Sequence, residues 1–127
     1  MIYEEIRRFS RDLKKLKKKF PSLPEDLEIN KQYRISLFHE NQGDRKSIVE
    51  IRGVGNTSEL RFFKVRRFQC KSLKGRGSRS GIRVIYAYLP KESRIIFIEI
   101  YFKSDQENER RERVIDLIKL LQMHLGS

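Results

Sequence analysis

Arg83-Val84-Ile85-Tyr86-Ala87-Tyr88-Leu89 and Ile95-Ile96-Phe97-Ile98-Glu99-Ile100-Tyr101-Phe102 decide how this chain folds. Both segments are rich in β-branched and aromatic residues, which pack well on a pleated surface, and the four polar residues Pro90-Lys91-Glu92-Ser93 join them. The pair therefore reads as an antiparallel hairpin. Upstream, Leu60 to Phe68 reads as a further strand. Phe63, Val65 and Arg67 fall on one side of it, and Lys64, Arg66 and Phe68 on the other.

Earlier still the pattern is helical. Phe9, Leu13, Leu16 and Phe20 are spaced four, three and four apart and make one stripe, surrounded by Lys14, Lys15, Lys17, Lys18 and Lys19, that ends at Pro21. These lysines read as a solvated face rather than a second RNA contact. A second helix is expected between Glu25 and Leu37, with a blurred period. Ile2 to Ile6 reads equally as a short strand or the start of a helix. The turn-forming stretches Asn41 to Asp44 and Gly53 to Thr57 enclose the apolar patch Ile48 to Ile51 and read as a surface connection. At the other end, Ser104 and Glu107 have the spacing of a capping box, so a closing helix is expected from there, with Val114, Ile115, Ile118, Leu121 and Leu125 on its inner face, widened by Leu117 and Leu120. Helices first and strands after, without β-α-β alternation, predict an α+β domain over residues 1–127: an antiparallel sheet of three to four strands with helices packed on one face.

Charge dominates the composition. The 127 residues carry 29 Lys+Arg against 17 Asp+Glu, a formal net charge of +12. Like charge at this density opposes compaction unless a partner neutralises it. Nine of the basic residues, Arg61, Lys64, Arg66, Arg67, Lys71, Lys74, Arg76, Arg79 and Arg83, follow one another with no acidic residue between. Phenylalanines interleave with them, and the stretch Lys71 to Gly81 adds three glycines and three serines whose backbone amides can approach phosphates. The segment reads as a polyanion site, with RNA the expected ligand and tyrosine faces at Tyr86, Tyr88 and Tyr101 for unpaired bases. Arg83 stands out, because a charge at the start of an apolar strand has no packing reason to be there.

Other chemistries have no support. The glycines are not followed by Gly-Lys-Ser/Thr, so the loop is not a Walker loop. His39 and His124 lack ligand spacing and read as ordinary surface or partly buried histidines, and Cys70, the single cysteine, leaves no disulfide framework or paired-cysteine zinc site. No metal and no small-molecule cofactor is expected. With no apolar run long enough to span a bilayer and no signal-like amino terminus, the expected setting is cytoplasmic, away from membranes.

Taken in order, the helices, then Phe63-Lys64-Val65-Arg66, Gly81-Ile82-Arg83-Val84-Ile85-Tyr86 and Ile96 to Tyr101, and a charged closing helix resemble the RelE/ParE superfamily of toxin–antitoxin toxins. The Gly-x-Arg-x-x-Tyr start of the hairpin is the most specific part. The resemblance implies a β-α-α-β-β-β-α fold and, in the RelE and HigB branches, ribosome-dependent, metal-independent cleavage of messenger RNA. It implies catalytic roles for Lys64, Arg66 and Arg83, with Lys103 standing in for an arginine at the end of the last strand, where this chain has Ser104. The basic segment and the neighbouring strands supply the expected RNA contacts, Arg67, Lys71, Lys74, Arg76, Arg79, Tyr86 and Tyr101, and Glu107 and His124 are outside candidates for proton transfer. The implied partners are a cognate acidic antitoxin, the ribosome and messenger RNA. The chain departs from the RelE pattern in having no tyrosine after Tyr101, and its loop from Cys70 to Ser80 is longer than in compact members. The same residues allow two other readings: a ParE-like gyrase inhibitor, and a catalytically silent RNA- or ribosome-binding protein.

Overall fold

The structure, a computed structural model, describes residues 1–41, 46–73, 75 and 79–125. Its elements run β1 (Ile2–Glu5), α1 (Arg7–Lys17), α2 (Leu23–Asn30), a π-helical turn (Lys31–Ile35), α3 (Ser36–Asn41), β2 (Ile48–Glu50), β3 (Arg61–Val65), β4 (Ile82–Leu89), β5 (Arg94–Phe102) and α4 (Arg111–Leu125). The class is α+β, as expected, and the order differs from β-α-α-β-β-β-α by the extra strand β2 and by α3, which follows α2 through the π-helical turn. Five strands lie in the order β1-β5-β4-β3-β2.

The hairpin is where the sequence places it. β4 pairs antiparallel with β5 from Ile82↔Phe102 to Leu89↔Arg94 around a 3-10 turn at Pro90–Glu92. β3 pairs antiparallel with β4, and β2 with β3. The sheet is nevertheless mixed rather than antiparallel, because β1 runs parallel to β5 in the register Ile2↔Arg94 to Glu5↔Phe97. Ile48 to Ile51 is likewise no surface connection. Its first three residues form β2, and Ile51 and Val54 are buried against the inner side of α4.

Helices cover both faces, not one. Phe63, Val65, Val84, Tyr86, Phe97 and Phe102 face Phe9, Phe20, Leu23, Leu27 and Ile35 from the α1 to α3 run. On the opposite face Phe62, Ile85, Ala87, Ile96 and Ile98 pack with Val114 and Leu117 of α4. The blurred period of the second helix has a physical cause. The π-helical turn from Lys31 to Ile35 inserts an extra residue into the helical repeat and rotates the residues after it, which leaves Tyr33 and Leu37 exposed. The lysines of α1 and the turn after it, Lys14 to Lys19, are solvated on the outer side, as expected, and only Lys19 reaches back, to lie 4.8 Å from the Phe102 ring.

The closing helix begins at Arg111, seven residues after the apparent capping box. A buried carboxylate explains the delay. The register shift beside Ile85 and Tyr86 brings Ile98 and Glu99 to the α4 face together. Glu99, 2% exposed, there accepts hydrogen bonds from the Gln106 amide (2.9 Å) and the Arg110 backbone N–H (2.8 Å). An ordered loop at 104–110 satisfies that carboxylate, and the N–H it holds is one of those a helix start leaves unpaired. Of the expected inner face, Val114 and Leu117 are buried, Ile115 and Leu120 stay exposed, and the side chains of His124 and Leu125 lie outside the described residues.

Candidate nucleic-acid interface

Strand alternation assembles the site. Lys64 stands opposite Ile85, and Arg83, two residues earlier on β4, stands opposite Tyr101, so Lys64, Arg83 and Tyr101 share the α4 face of three neighbouring strands. Arg66 and Lys103 continue this parity past the ends of β3 and β5. The sequence reading put Arg67 and Phe63 on one side and Lys64 and Arg66 on the other; the strand itself ends at Val65, and Arg66 and Arg67 both reach the same recess.

The recess has a volume of about 540 Å³ and is lined by Lys64, Arg66, Arg67, Arg79, Arg83 and Lys103, with Gly81 and Tyr101 in its wall and Glu107 and Asn108 on its far side. Six cations thus face one lining carboxylate. The three strand residues expected to act on phosphate, Lys64, Arg66 and Arg83, are together, as are Lys103, Arg67, Arg79 and Tyr101. Gly81 makes the turn into β4 at φ +82°, where a Cβ would lie 3.2 Å from the Phe102 ring, and its carbonyl accepts from the Lys103 N–H at 2.8 Å. That contact fixes the end of β5, and with it Lys103, beside Arg83.

Three of the expected contacts, Tyr86, Tyr88 and Lys71, are not in the recess. Tyr86 is fully buried on the opposite face, with its hydroxyl 2.7 Å from His39 Nε2, so its ring offers no surface to a base. Lys71 is held to Glu25 at 3.0 Å, where its backbone N–H also donates to Asp26. The reason is the anchoring of the loop: Ser22 and Ser72 exchange backbone-to-hydroxyl hydrogen bonds of 2.9 and 2.8 Å, and Cys70 is buried, which draws this stretch toward the start of α2. Lys74 and Arg76 lie outside the described residues.

Electrostatics separate the basic groups. Among the described residues Arg66, Arg67, Arg79, Arg83 and Lys103 form no ion pair. Lys64 does, with Nζ 2.6 Å from Glu109 Oε2. Burial of Glu109 works against its ionised form, yet the Lys64 ammonium holds its carboxyl below the usual carboxylate range. Arg83 is lowered, first by burial and also by Arg66, without approaching loss of its proton. Tyr101 is pushed up to about 12, chiefly by burial and then by Glu109 and Glu99, so its phenol remains a hydrogen-bond donor at neutral pH. Clustered, incompletely neutralised guanidinium groups around a concave wall are suited to hold a phosphodiester and to gain charge stabilisation as negative charge develops on it.

No family model matches the chain, and no curated protein does. A solved structure does. The chain is similar to a chain of the archaeal RelE–RelB complex from Pyrococcus horikoshii OT3, at 14% identity over 80% of this chain and 93% of that one, with a TM-score of 0.49. Asn108 in the recess wall and Glu109 against Lys64 are not among the residues the sequence points to. They come after a false helix start, and nothing in the local sequence signals that Glu109 meets Lys64, 45 positions away.

Proposed function

We propose that this chain is the toxin of a toxin–antitoxin pair and cleaves messenger RNA on the ribosome. The observation that supports the reading is the convergence of Lys64, Arg66 and Arg83 from β3 and β4 on one recess, with Arg67, Arg79 and Lys103 around it. The resemblance of the Gly81-Ile82-Arg83 hairpin start to RelE-like toxins directs it to RNA. In such a site the ribose 2′-oxygen attacks the adjacent phosphorus and the P–O5′ bond breaks, leaving a 2′,3′-cyclic phosphate and a 5′-hydroxyl. Arg83 and Arg66 hold the phosphoryl oxygens as they gain charge. Lys64 carries ammonium hydrogens and supplies the proton to O5′, and the Glu107 carboxylate accepts the proton of the 2′-hydroxyl. An acidic antitoxin is the partner that would neutralise the cluster.

The test is a translating extract with a defined messenger, in which cleavage sites are mapped by primer extension. Cuts that require ribosomes and vanish with Arg83→Ala are expected; an intact messenger at full occupancy of the ribosome refutes cleavage. The Lys64–Glu109 pair favours one other reading, a catalytically silent ribosome-binding protein, because the lysine is already engaged by a carboxylate of its own chain. In that case the intact messenger is accompanied by salt-sensitive ribosome association. Purified gyrase tests the ParE-like alternative, and unimpaired supercoiling is expected.

A further inference from the structure

A second and larger cleft, of about 940 Å³, opens on the other face of the sheet between α3 and the β2–β3 edge. Its wall is aromatic. The His39 ring stacks on Tyr88 with centroids 3.8 Å apart and planes 28° from parallel, and Phe63 lies edge-on to His39 at 4.8 Å. Its rim is cationic: Arg61 sits 5.1 Å over the Phe63 ring while paired to Glu50 at 2.7 Å, and Arg52 and Arg66 line the cleft without an ion partner among the described residues.

Arg66 lines this cleft and the basic recess alike. It stands just beyond the end of β3, with its backbone N–H donating to Ser47 at 2.7 Å. A chain that lays a phosphate in the recess meets the aromatic cleft one guanidinium away, around the end of β3. We infer that the cleft holds an unpaired nucleobase of the RNA strand whose backbone occupies the recess, the base lying against the Tyr88–His39 stack and Arg66 bridging the two. The inference rests on the RNA reading proposed above and adds to it a base subsite distinct from the phosphate contacts.

The chemistry fits that ligand. Every base has a π-face, and base–aromatic stacking is tolerant of sequence, while arginine at the rim adds cation–π attraction and a counter-charge for the flanking phosphate. Burial, and secondarily Arg61, lowers His39 to about 4, so at neutral pH the stack is uncharged and presents an apolar surface. Its Nε2 is engaged with the buried Tyr86 hydroxyl at 2.7 Å, which fixes the ring orientation.

The unaltered protein is titrated by fluorescence anisotropy with two single-stranded RNAs of equal length, one lacking its central bases. The base-bearing strand is expected to bind about tenfold tighter, within the contribution of one base–aromatic stack. Tyr88→Leu should erase that difference by weakening only the base-bearing strand. Tight and equal binding of both strands by the unaltered protein overturns the base subsite and leaves the phosphate recess intact; it is also the result expected if the cleft holds a peptide. Weak binding of both overturns the RNA reading and the subsite with it. Should Tyr88→Leu disturb the fold, 2-aminopurine at the central position reports on the unaltered protein: quenching on binding supports the subsite, and unchanged fluorescence overturns it.

Discussion

Lys64 on β3 and Glu109 in the loop before α4 form a close ion pair, with side chains only 18% and 8% exposed. The pair places a carboxylate of the chain itself against the lysine that the sequence singles out for phosphate chemistry. It holds the 104–110 loop over the recess and offsets one of the recess cations.

Glu109→Gln should therefore have opposite effects on stability and on ligand affinity. Removing one partner of a largely buried pair leaves the other uncompensated, and a loss of about 2–3 kcal/mol is expected in denaturant unfolding. Affinity for single-stranded RNA should rise at the same time, by about threefold in anisotropy titrations, for one more uncompensated charge at the ligand. Pairing Glu109→Leu with Lys64→Met should restore most of the stability without the gain in affinity.

Salt dependence counts the cations that meet phosphate. If the five unpaired basic groups of the recess each neutralise one, the logarithm of affinity for single-stranded RNA should fall against log salt with a slope of about −3.5. Arg67→Ala, an exposed site, should reduce that slope by about 0.7 and leave unfolding unchanged. Lys71→Ala should alter neither, because Lys71 is held to Glu25 away from the recess.

His39 gives the fold an acid sensitivity. Its folded-state value of about 4 lies below the ordinary histidine value of 6.5, so the unfolded chain binds the extra proton first as pH falls. The stabilisation is thus present above about 6.5 and is lost between there and about 4. For a ring that keeps partial contact with solvent it amounts to about 2 kcal/mol. Urea melts at pH 7 and pH 4.5 should show the loss, and His39→Gln should flatten the difference between them.

The carboxylate beneath the last helix is the fourth point of test. Glu99→Ala leaves the Gln106 amide and the Arg110 N–H without their acceptor, at a cost of about 2 kcal/mol. Hydrogen exchange should report that loss first in the opening turn of α4, with the β4–β5 amides still protected. Uniform exchange across sheet and helix would mean that α4 does not depend on the Glu99 carboxylate.

Local period accounts for the parts of the fold that were legible in the sequence. Alternation in β3 and β4 puts Lys64 and Arg83 on strands, and the polar four-residue turn sets the hairpin register at Leu89↔Arg94, but the shift beside Ile85 and Tyr86, which moves Arg83 from Ile100 to Tyr101, has no signal in the turn. The same parity places Tyr86 on the face opposite Arg83, which counting by twos along β4 reveals. Distant pairing was beyond such counting. Nothing near Ile48 announces β2, and nothing near Ile2 announces a parallel partner at Arg94. The apparent cap at Ser104 misled because local helix signals yield to a buried acceptor supplied by another strand. The blurred second helix, by contrast, was a true signal of the π-helical turn at Lys31–Ile35.

The parallel pairing of Ile2 with Arg94 ties the opening of the chain to its final strand. On an emerging polypeptide, the β1 edge has no neighbour until more than ninety residues have been made, so its closure waits on a long loop. Tyr101 and Lys103 appear later still. A partly synthesised chain accordingly carries its positive charge in scattered form, and the cradle for a polyanion comes into being only once Lys103 has been made.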